Sequence, residues 1–303
     1  MYNTKMTSLK IGIIGYGFIG KAVTSELLLR NHNIKILDRN AKLNNLPIDW
    51  VKGDFRDKNV ISKFIKGIDI LIHLASSTVP ASSILSVKSE MRENIASMLQ
   101  ILDLIIKQNP KIYIIFASSA SIYGNQTHFP ITELNLPKPI SLYGLQKLTI
   151  EHFLKIYHIQ YNLNYASCRI SNPYGLGQKV NTMQGLLSII KNNIKRNKKT
   201  IIYGQNECSR DFIHIKDVAR ALALFCDRKP INTEVNISSG NEVRIKDLVE
   251  YIEKLLNKRI VTTFKPLRST DIGRSVLDNN LIKSFIKWKP KVDFECGIKD
   301  YFK

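Results

Sequence analysis

A chain of 303 residues with 44% apolar side chains can bury a large core, as one α/β domain or as two intimate lobes. The net charge of +20 raises nucleic acid as a partner, but the cations are spread along the chain. The one short basic run, Lys195-Arg196-Asn197-Lys198-Lys199, reads as a solvated turn before a strand, so no nucleic-acid partner is expected. A basic surface equally suits steering of an anionic small substrate. No apolar run long enough to span a membrane occurs, and the first residues carry no apolar signal core, so a cytoplasmic protein with no membrane partner is expected. Cys168, Cys208, Cys226 and Cys296 lack metal or redox spacing and read as free thiols; no metal is expected.

In chain order, short β-branched runs alternate with helical stretches, the pattern of a parallel sheet covered on both faces. Lys10 to Ile14 forms a strand, followed by a glycine turn and a helix from about Ile19 to Arg30. Strands follow at Ile34–Leu37, Trp50–Lys52, Ile68–Leu74, Lys111–Ala117 and Tyr165–Ile170. Between them, Glu90–Gln108 and Tyr143–Gln160 have the apolar spacing of long amphipathic helices. The second half is less regular, with helices near Gln184–Asn197, Asp217–Cys226 and Ile245–Leu256. The fold class is therefore α/β: a doubly wound parallel sheet of the Rossmann type over residues 1–171, with a smaller α/β substrate lobe over 172–303 whose segments interleave with the first. That lobe closes over the carboxyl edge of the sheet, where open α/β sheets bind ligands.

The sequence Gly15-Tyr16-Gly17-Phe18-Ile19-Gly20 joins the first strand to the first helix, the context a dinucleotide loop requires. Gly15 allows the tight turn, Gly17 lets a pyrophosphate approach the backbone, and Gly20 permits close helix–strand packing. The phosphates then meet the helix N-terminus, where free N–H groups and the dipole favour anions. Asp38 ends the second strand, where a carboxylate grips an adenosine ribose and repels a 2′-phosphate. NAD is the expected cofactor, with NADP kept open by Arg39, whose guanidinium could pair with that phosphate.

Tyr143 and Lys147 stand one helical turn apart and leave the same helix face. An ammonium beside a phenol is expected to lower its pKa from about 10 towards neutrality. The tyrosine then serves as acid or base for a hydroxyl proton while hydride leaves the carbon beneath it.

Further segments follow in order: Gly53-Asp54-Phe55-Arg56-Asp57, Ile72-His73-Leu74-Ala75, Ala117-Ser118-Ser119-Ala120-Ser121-Ile122-Tyr123-Gly124 and Asn172-Pro173-Tyr174-Gly175. Arg210-Asp211-Phe212-Ile213-His214 and Trp288-Lys289-Pro290 complete the series. From about Lys10 to the end of the chain it resembles the extended short-chain dehydrogenases/reductases, specifically the NAD-dependent sugar-nucleotide epimerase/dehydratase family. The resemblance implies that Gly15, Gly17, Phe18, Ile19, Gly20, Asp38, Asp54, Phe55, Leu74, Ala75, Ser76, Asn94, Tyr143, Lys147 and Pro173 hold the cofactor, with Asp54 and Phe55 beside the adenine. It implies Ser119, Tyr143 and Lys147 as the catalytic group, and Ser119, Asn172, Arg210, Arg268, Asp271 and Ser275 as residues for a nucleotide-diphosphate sugar. Arginine suits phosphate through its bidentate fork; a surface pair of Arg210 with Asp211 is the plainer alternative. Asp217 reads as a helix cap. The two long helices are where members of the family pair as homodimers.

The chain departs from the family at Ile14, which stands at the first glycine of the usual loop, at Ser97 and at Thr78. Ala120-Ser121 stand where the 4,6-dehydratases carry an Asp-Glu pair, so elimination lacks its acid and base. Two chemistries remain: a nucleotide-sugar 4-epimerase (UDP-glucose/UDP-galactose or their N-acetylated counterparts), which removes and returns the C4 hydride, and a reductase of an NDP-4-keto-6-deoxysugar. Ser275, a small residue where the family places either tyrosine or a small side chain, leaves room for a 2-acetamido group. A catalytically silent dinucleotide-sensing regulator is the non-enzymatic alternative, disfavoured by the presence of Ser119, Tyr143 and Lys147.

Overall fold

The computed structural model describes residues 8–40, 46–76, 87–178, 185–204, 208–230 and 232–303; Thr78 and Gln184 lie outside them. The first half runs β1 (Lys10–Ile14), α1 (Phe18–Leu29), β2 (Asn33–Asp38), β3 (Ile48–Lys52), α2 (Lys58–Phe64) and β4 (Ile70–His73). A helical run follows: α3 (Val87–Glu90), a π-helical turn (Met91–Ala96) and α4 (Ser97–Gln108). Next come β5 (Tyr113–Ser119), a 3-10 turn (Ala120–Tyr123), α5 (Leu142–Tyr161), β6 (Tyr165–Ile170) and β7 (Asn172–Tyr174). The second half continues with α6 (Leu186–Lys195), β8 (Thr200–Tyr203), β9 (Ser209–Arg210), β10 (Phe212–His214), α7 (Ile215–Arg228) and β11 (Thr233–Ile237). It ends with β12 (Val243–Arg244), α8 (Ile245–Leu256), β13 (Thr262–Lys265), β14 (Arg274–Ser275), α9 (Asn280–Ile286) and α10 (Phe294–Phe302).

Seven strands pair in parallel in the order β11-β6-β5-β4-β1-β2-β3. Ile11 is in register with Ile34 on one side and Ile70 on the other. Because side chains alternate across a strand, each central strand feeds two cores. Ile70, Ile72 and Ile115 pack with Val23 and Leu27 of α1 and Leu222 and Phe225 of α7. Leu71, Ile114 and Phe116 face the other way, onto Phe64 of α2, Ile101 and Ile105 of α4 and Ile150 and Leu154 of α5. The near-continuous apolar runs seen in the sequence are the signature of strands covered on both faces. The strand order reverses between β1 and β4, which opens a crevice at their carboxyl ends.

The second half divides in space. Residues of α7 and β11 return to the main sheet, with β11 paired to β6 from Thr233↔Ala166 to Ile237↔Ile170. The smaller lobe is built on β8 and β13, with Ile190 of α6, Leu248 and Ile252 of α8 and Ile298 and Tyr301 of α10 in one cluster. Asp217 does not cap α7: His214 does, its ring accepting the Lys216 N–H at 3.3 Å. The Asp217 carboxylate instead accepts the N–H groups of Lys291 and Val292, both at 2.9 Å, while its carbonyl takes the Trp288 indole N–H at 3.2 Å. It therefore latches the C-terminal segment onto the large domain.

Candidate active site

At the nucleotide end, each glycine has a different reason to be there. Gly15 has φ +100°, and a Cβ would stand 2.9 Å from the Ala75 nitrogen. A Cβ on Gly20 would sit 2.2 Å from the Gly15 carbonyl oxygen, so the start of α1 can pack on the loop only through glycine. Gly17 has open space around the position of a Cβ and caps α1 without a side-chain hydrogen bond. The first-turn N–H groups of α1 thus face a cleft lined by Gly15, Gly17, Phe18, Ile19, Gly20, Leu74 and Ser76. This uncapped terminus beside a residue without a side chain fits the pyrophosphate of NAD. Ile14, buried in the core, leaves the turn itself to Gly15.

Asp38 accepts the Tyr16 N–H at 2.7 Å and the Asn40 N–H at 2.8 Å, tying the glycine loop to the end of β2. Asp54 is paired with Arg56 at 2.6 Å, which holds its carboxyl below the usual range. Phe55 stands edge-on to His73, with ring centres 5.6 Å apart. Asn94, in the π-helical turn, donates to Gln146 at 2.9 Å. Asp38, Asp54, Phe55, Ala75 and Asn94 are not among the described residues that line the cleft.

Ser119, Tyr143 and Lys147 come together where β5 ends against the first turns of α5. The Ser141 hydroxyl caps α5 by accepting the Gly144 N–H at 3.1 Å, which sets Tyr143 in the first turn. Gly144 is required there, since a Cβ would meet the Ser121 carbonyl oxygen at 2.6 Å. Ser119 is hydrogen-bonded to the Tyr143 hydroxyl and accepts the Ser121 N–H at 3.2 Å. Lys147 is buried, donates to the Ala117 carbonyl at 2.7 Å, and lies 5.7 Å from the centre of the Tyr143 ring.

The electrostatics differ from the expectation for an isolated pair. Burial raises the Tyr143 phenol above its ordinary value, and the Ser119 hydrogen bond only partly offsets this. Burial also pulls Lys147 down to about 8, against an upward push from Glu151. A tyrosine and a lysine spaced one turn apart say nothing of how deeply the fold buries them, and here desolvation is the largest influence on both.

Across the cleft, the second lobe contributes Asn172, Pro173, Arg210, Arg268, Asp271 and Ser275 to the lining. Arg210 makes no pair with Asp211; its guanidinium donates to the carbonyls of Ser209 and Gly273 at 2.7 and 3.0 Å. Burial lowers its pKa, and among the described residues no carboxylate lies within ion-pair distance of it. Asp211 faces inward and accepts from Ser171, Ser239, Gly240 and Leu277, tying the strand ends of the large sheet to the second lobe. Arg268 pairs with Asp271 at 2.7 Å and covers the Tyr203 ring at 4.4 Å. Ser275, in register with Arg210 in a parallel pair, is buried at the cleft wall.

Tyr203, Gln178 and Asn192 also line the cleft and carried no signal in the sequence beyond a strand, a loop and a helix. The whole cleft measures about 950 Å³ and runs from the glycine loop past Ser119 and Tyr143 to Arg268. Among the described residues there is no cluster able to hold a metal ion, and no helix is long and apolar enough to cross a membrane.

Comparison with known proteins places this architecture. Residues 11–238 match the model of the NAD dependent epimerase/dehydratase family. A Methanocaldococcus jannaschii protein described as a candidate UDP-glucose 4-epimerase is 30% identical over 290 residues, covering 94% of each chain. The dTDP-4-dehydro-6-deoxyglucose reductase of Escherichia coli is 28% identical over 314 residues, covering 98% of each. The crystal structure of the Thermotoga maritima UDP-glucose 4-epimerase with UDP-glucose superposes with a TM-score of 0.90 at 27% identity, covering 97% of each chain. With the glycine loop, the Ser119–Tyr143–Lys147 cluster and the two-lobed cleft already in place, the chain belongs to the NAD-dependent epimerase/dehydratase family, as an NAD-using enzyme of the extended short-chain dehydrogenase/reductase type.

Proposed function

We propose that the protein is a nucleotide-sugar 4-epimerase acting on a UDP-hexose or its N-acetylated counterpart. The observation that carries this is the single cleft in which an uncapped α1 terminus, the Ser119–Tyr143–Lys147 cluster and Arg210 line one continuous volume. Such a cleft accommodates a dinucleotide and a nucleotide sugar together, with the tyrosine between them. NAD, when bound, supplies the hydride acceptor and donor. Tyr143 takes the proton of the sugar C4 hydroxyl and later returns it, with Ser119 sharing a hydrogen bond to the reacting oxygen. Lys147, anchored on Ala117, holds the cofactor ribose and keeps positive charge beside the phenol. Arg210, already desolvated and aimed by two backbone carbonyls, receives the diphosphate with little further ordering cost. Arg268, Asp271 and Tyr203 frame the nucleoside end.

A second reading, reduction of an NDP-4-keto-6-deoxysugar, is favoured by the likeness to the Escherichia coli reductase over 98% of both chains. Both readings use the same cluster, and Ala120-Ser121 supply no elimination acid to either. The distinguishing experiment is the absorption spectrum and mass of cofactor carried through purification, followed by assay with UDP-glucose, UDP-GlcNAc and a 4-keto sugar. Stoichiometric retained NAD(H) with interconversion of C4 epimers is the expected result. Protein that arrives empty and consumes NADH or NADPH only with a 4-keto sugar establishes the reductase instead.

The same reading includes a homodimer formed through α4 and α5. Leu145, Ile156 and Ile159 of α5 are exposed, the last by 71%, and an apolar helix face of this kind is relieved by a second copy. Light scattering showing a monomer at micromolar concentration would exclude it.

A further inference from the structure

One helical turn beyond Lys147, on the same face of α5, a buried carboxylate has no part in the chemistry above. Glu151 is 3% exposed. Its Oε1 accepts the Ser118 hydroxyl at 2.5 Å, and its Oε2 accepts Arg169 Nη2 at 2.8 Å. Arg169 Nε reaches both carboxylate oxygens, at 3.2 and 3.3 Å. Arg169 Nη1 donates to the Tyr123 hydroxyl at 2.9 Å, and that hydroxyl donates to Asn236 Oδ1 at 2.8 Å.

Three successive turns of α5 therefore grip three consecutive residues at the end of β5. Tyr143 meets Ser119, Lys147 meets the Ala117 carbonyl, and Glu151 meets Ser118. Ser118 lies between the residue that anchors the ammonium and the residue that presents the catalytic hydroxyl. A displacement there moves both. Stability alone does not call for such a group, since a buried ion pair is often no more stable than apolar residues of the same volume.

We propose that Glu151 is a positioning residue of the hydride-transfer site: it fixes Ser118, and with it the strand end that presents Ser119, and its charge holds Lys147 as the ammonium. The proposal rests on the function assigned above to Ser119, Tyr143 and Lys147. Among the groups acting on Lys147, burial lowers its pKa and Glu151 raises it. The other titratable or charged groups around it are Tyr143 on its own helix, His73 on β4 and, beyond Glu151, Arg169 on β6. His73 is neutral, because burial first and the Lys147 charge second push it down to about 3. Arg169 adds a second positive charge that Glu151 balances. Of the buried carboxylates among the described residues nearby, Glu90 accepts the Gln146 amide at 3.2 Å and Glu151 is the one paired with Arg169.

The test is Glu151→Gln, which keeps the size and hydrogen-bonding capacity of the side chain and removes its charge. The expected result is a folded protein whose kcat falls by about tenfold or more, while KM for the nucleotide sugar changes by less than about threefold. The alkaline limb of kcat moves to lower pH by about one unit. Side-chain lysine NMR, assigned with Lys147→Met, follows the same titration without turnover and shows the same downward shift. Ser118→Ala, which keeps the Glu151 charge, lowers kcat but leaves the Lys147 titration in place. If Glu151→Gln does not fold, Glu151→Gln/Arg169→Gln, which leaves neither member of that pair uncompensated, is expected to show the same fall in kcat with a smaller downward shift of Lys147, because a positive charge is lost with the negative one. An unchanged Lys147 titration, or an unchanged kcat, in the folded variant overturns the proposal. Should the wild-type protein act on none of the sugars, the functional reading fails, and the NMR titration still decides the role of Glu151.

Discussion

The Lys147 ammonium is bonded to the carbonyl of Ala117 at 2.7 Å, two residues before Ser119 on the same strand. Helix and strand are thereby fixed in register at the place where Tyr143 meets Ser119, so the geometry of the cluster is a property of the α5–β5 contact. The ammonium is held by the strand rather than by the phenol. Burial raises the phenol and lowers the lysine in this setting.

Replacing Tyr143 with phenylalanine removes the proposed proton carrier and leaves the ring at the cleft. Turnover is expected to fall by about a thousandfold, within the usual range for a general acid or base. Binding of NAD and of the nucleotide measured by calorimetry stays within about threefold. Substantial remaining turnover would assign the proton to another group.

The glycine loop gives a contrast between neighbours. Gly15→Ala forces a side chain into φ +100° and against the Ala75 backbone, and costs about 1 kcal/mol of stability or more. Gly17→Ala meets nothing in the protein and leaves stability nearly unchanged, but its methyl occupies the approach to the α1 terminus, so NAD affinity drops about tenfold or more. Chemical denaturation and cofactor titration of the two variants separate the effects; equal losses of stability would refute the assignment.

Ser275 is buried at the cleft wall beside Arg210. Ser275→Tyr is expected to cut kcat/KM for UDP-GlcNAc by about tenfold or more while sparing UDP-glucose, because a bulky phenol fills the space of an acetamido group. Equal effects on both sugars, or none, would show that this residue is no gate.

His73 is buried between Phe55 and Phe116, and neither ring nitrogen has a hydrogen-bond partner among the described residues. Its pKa is pushed down to about 3 from 6.5 by burial and the Lys147 charge. Below pH 6.5 the unfolded chain takes up a proton that the folded protein refuses, so stability is lost as pH falls, by about 1.4 kcal/mol per unit until about pH 3. At pH 5 the wild type should have lost about 2 kcal/mol from this group, and His73→Phe should lack that loss. Urea midpoints of the two proteins at pH 7 and pH 5 measure the difference; parallel curves would contradict it.

Asp217 joins two parts of the chain that are distant in sequence. Asp217→Ala leaves the N–H groups of Lys291 and Val292 without their acceptor and leaves the Arg220 guanidinium only the Lys289 carbonyl, and is expected to cost about 3 kcal/mol or more. Asp217→Asn, which keeps one acceptor, should lose less. A cost below about 1 kcal/mol for the alanine variant would show that the C-terminal segment is held by its apolar contacts alone.

Much of the molecule is readable without coordinates. The runs around Ile11, Ile72 and Ile115 are strands because apolar β-branched residues repeat there. The glycine loop reads as a nucleotide turn because a strand precedes it and a helix follows. Tyr143 and Lys147 share a helix face because of their spacing alone. These are local properties, set by backbone sterics and side-chain period, and α5, β6 and α8 lie within one residue of where the pattern puts them. The short helix Lys58–Phe64 and the returning strand Thr233–Ile237 carry weaker periodicity, and the latter joins the sheet only through β6. What the tertiary structure alone decided is which polar groups meet and how deeply. Arg210 keeps its place in the cleft with its guanidinium on two carbonyls, Asp217 turned from a cap to a latch, and Tyr143 from a lowered to a raised pKa. Each of these depends on partners far away in the chain and on the removal of water, and residue spacing encodes neither.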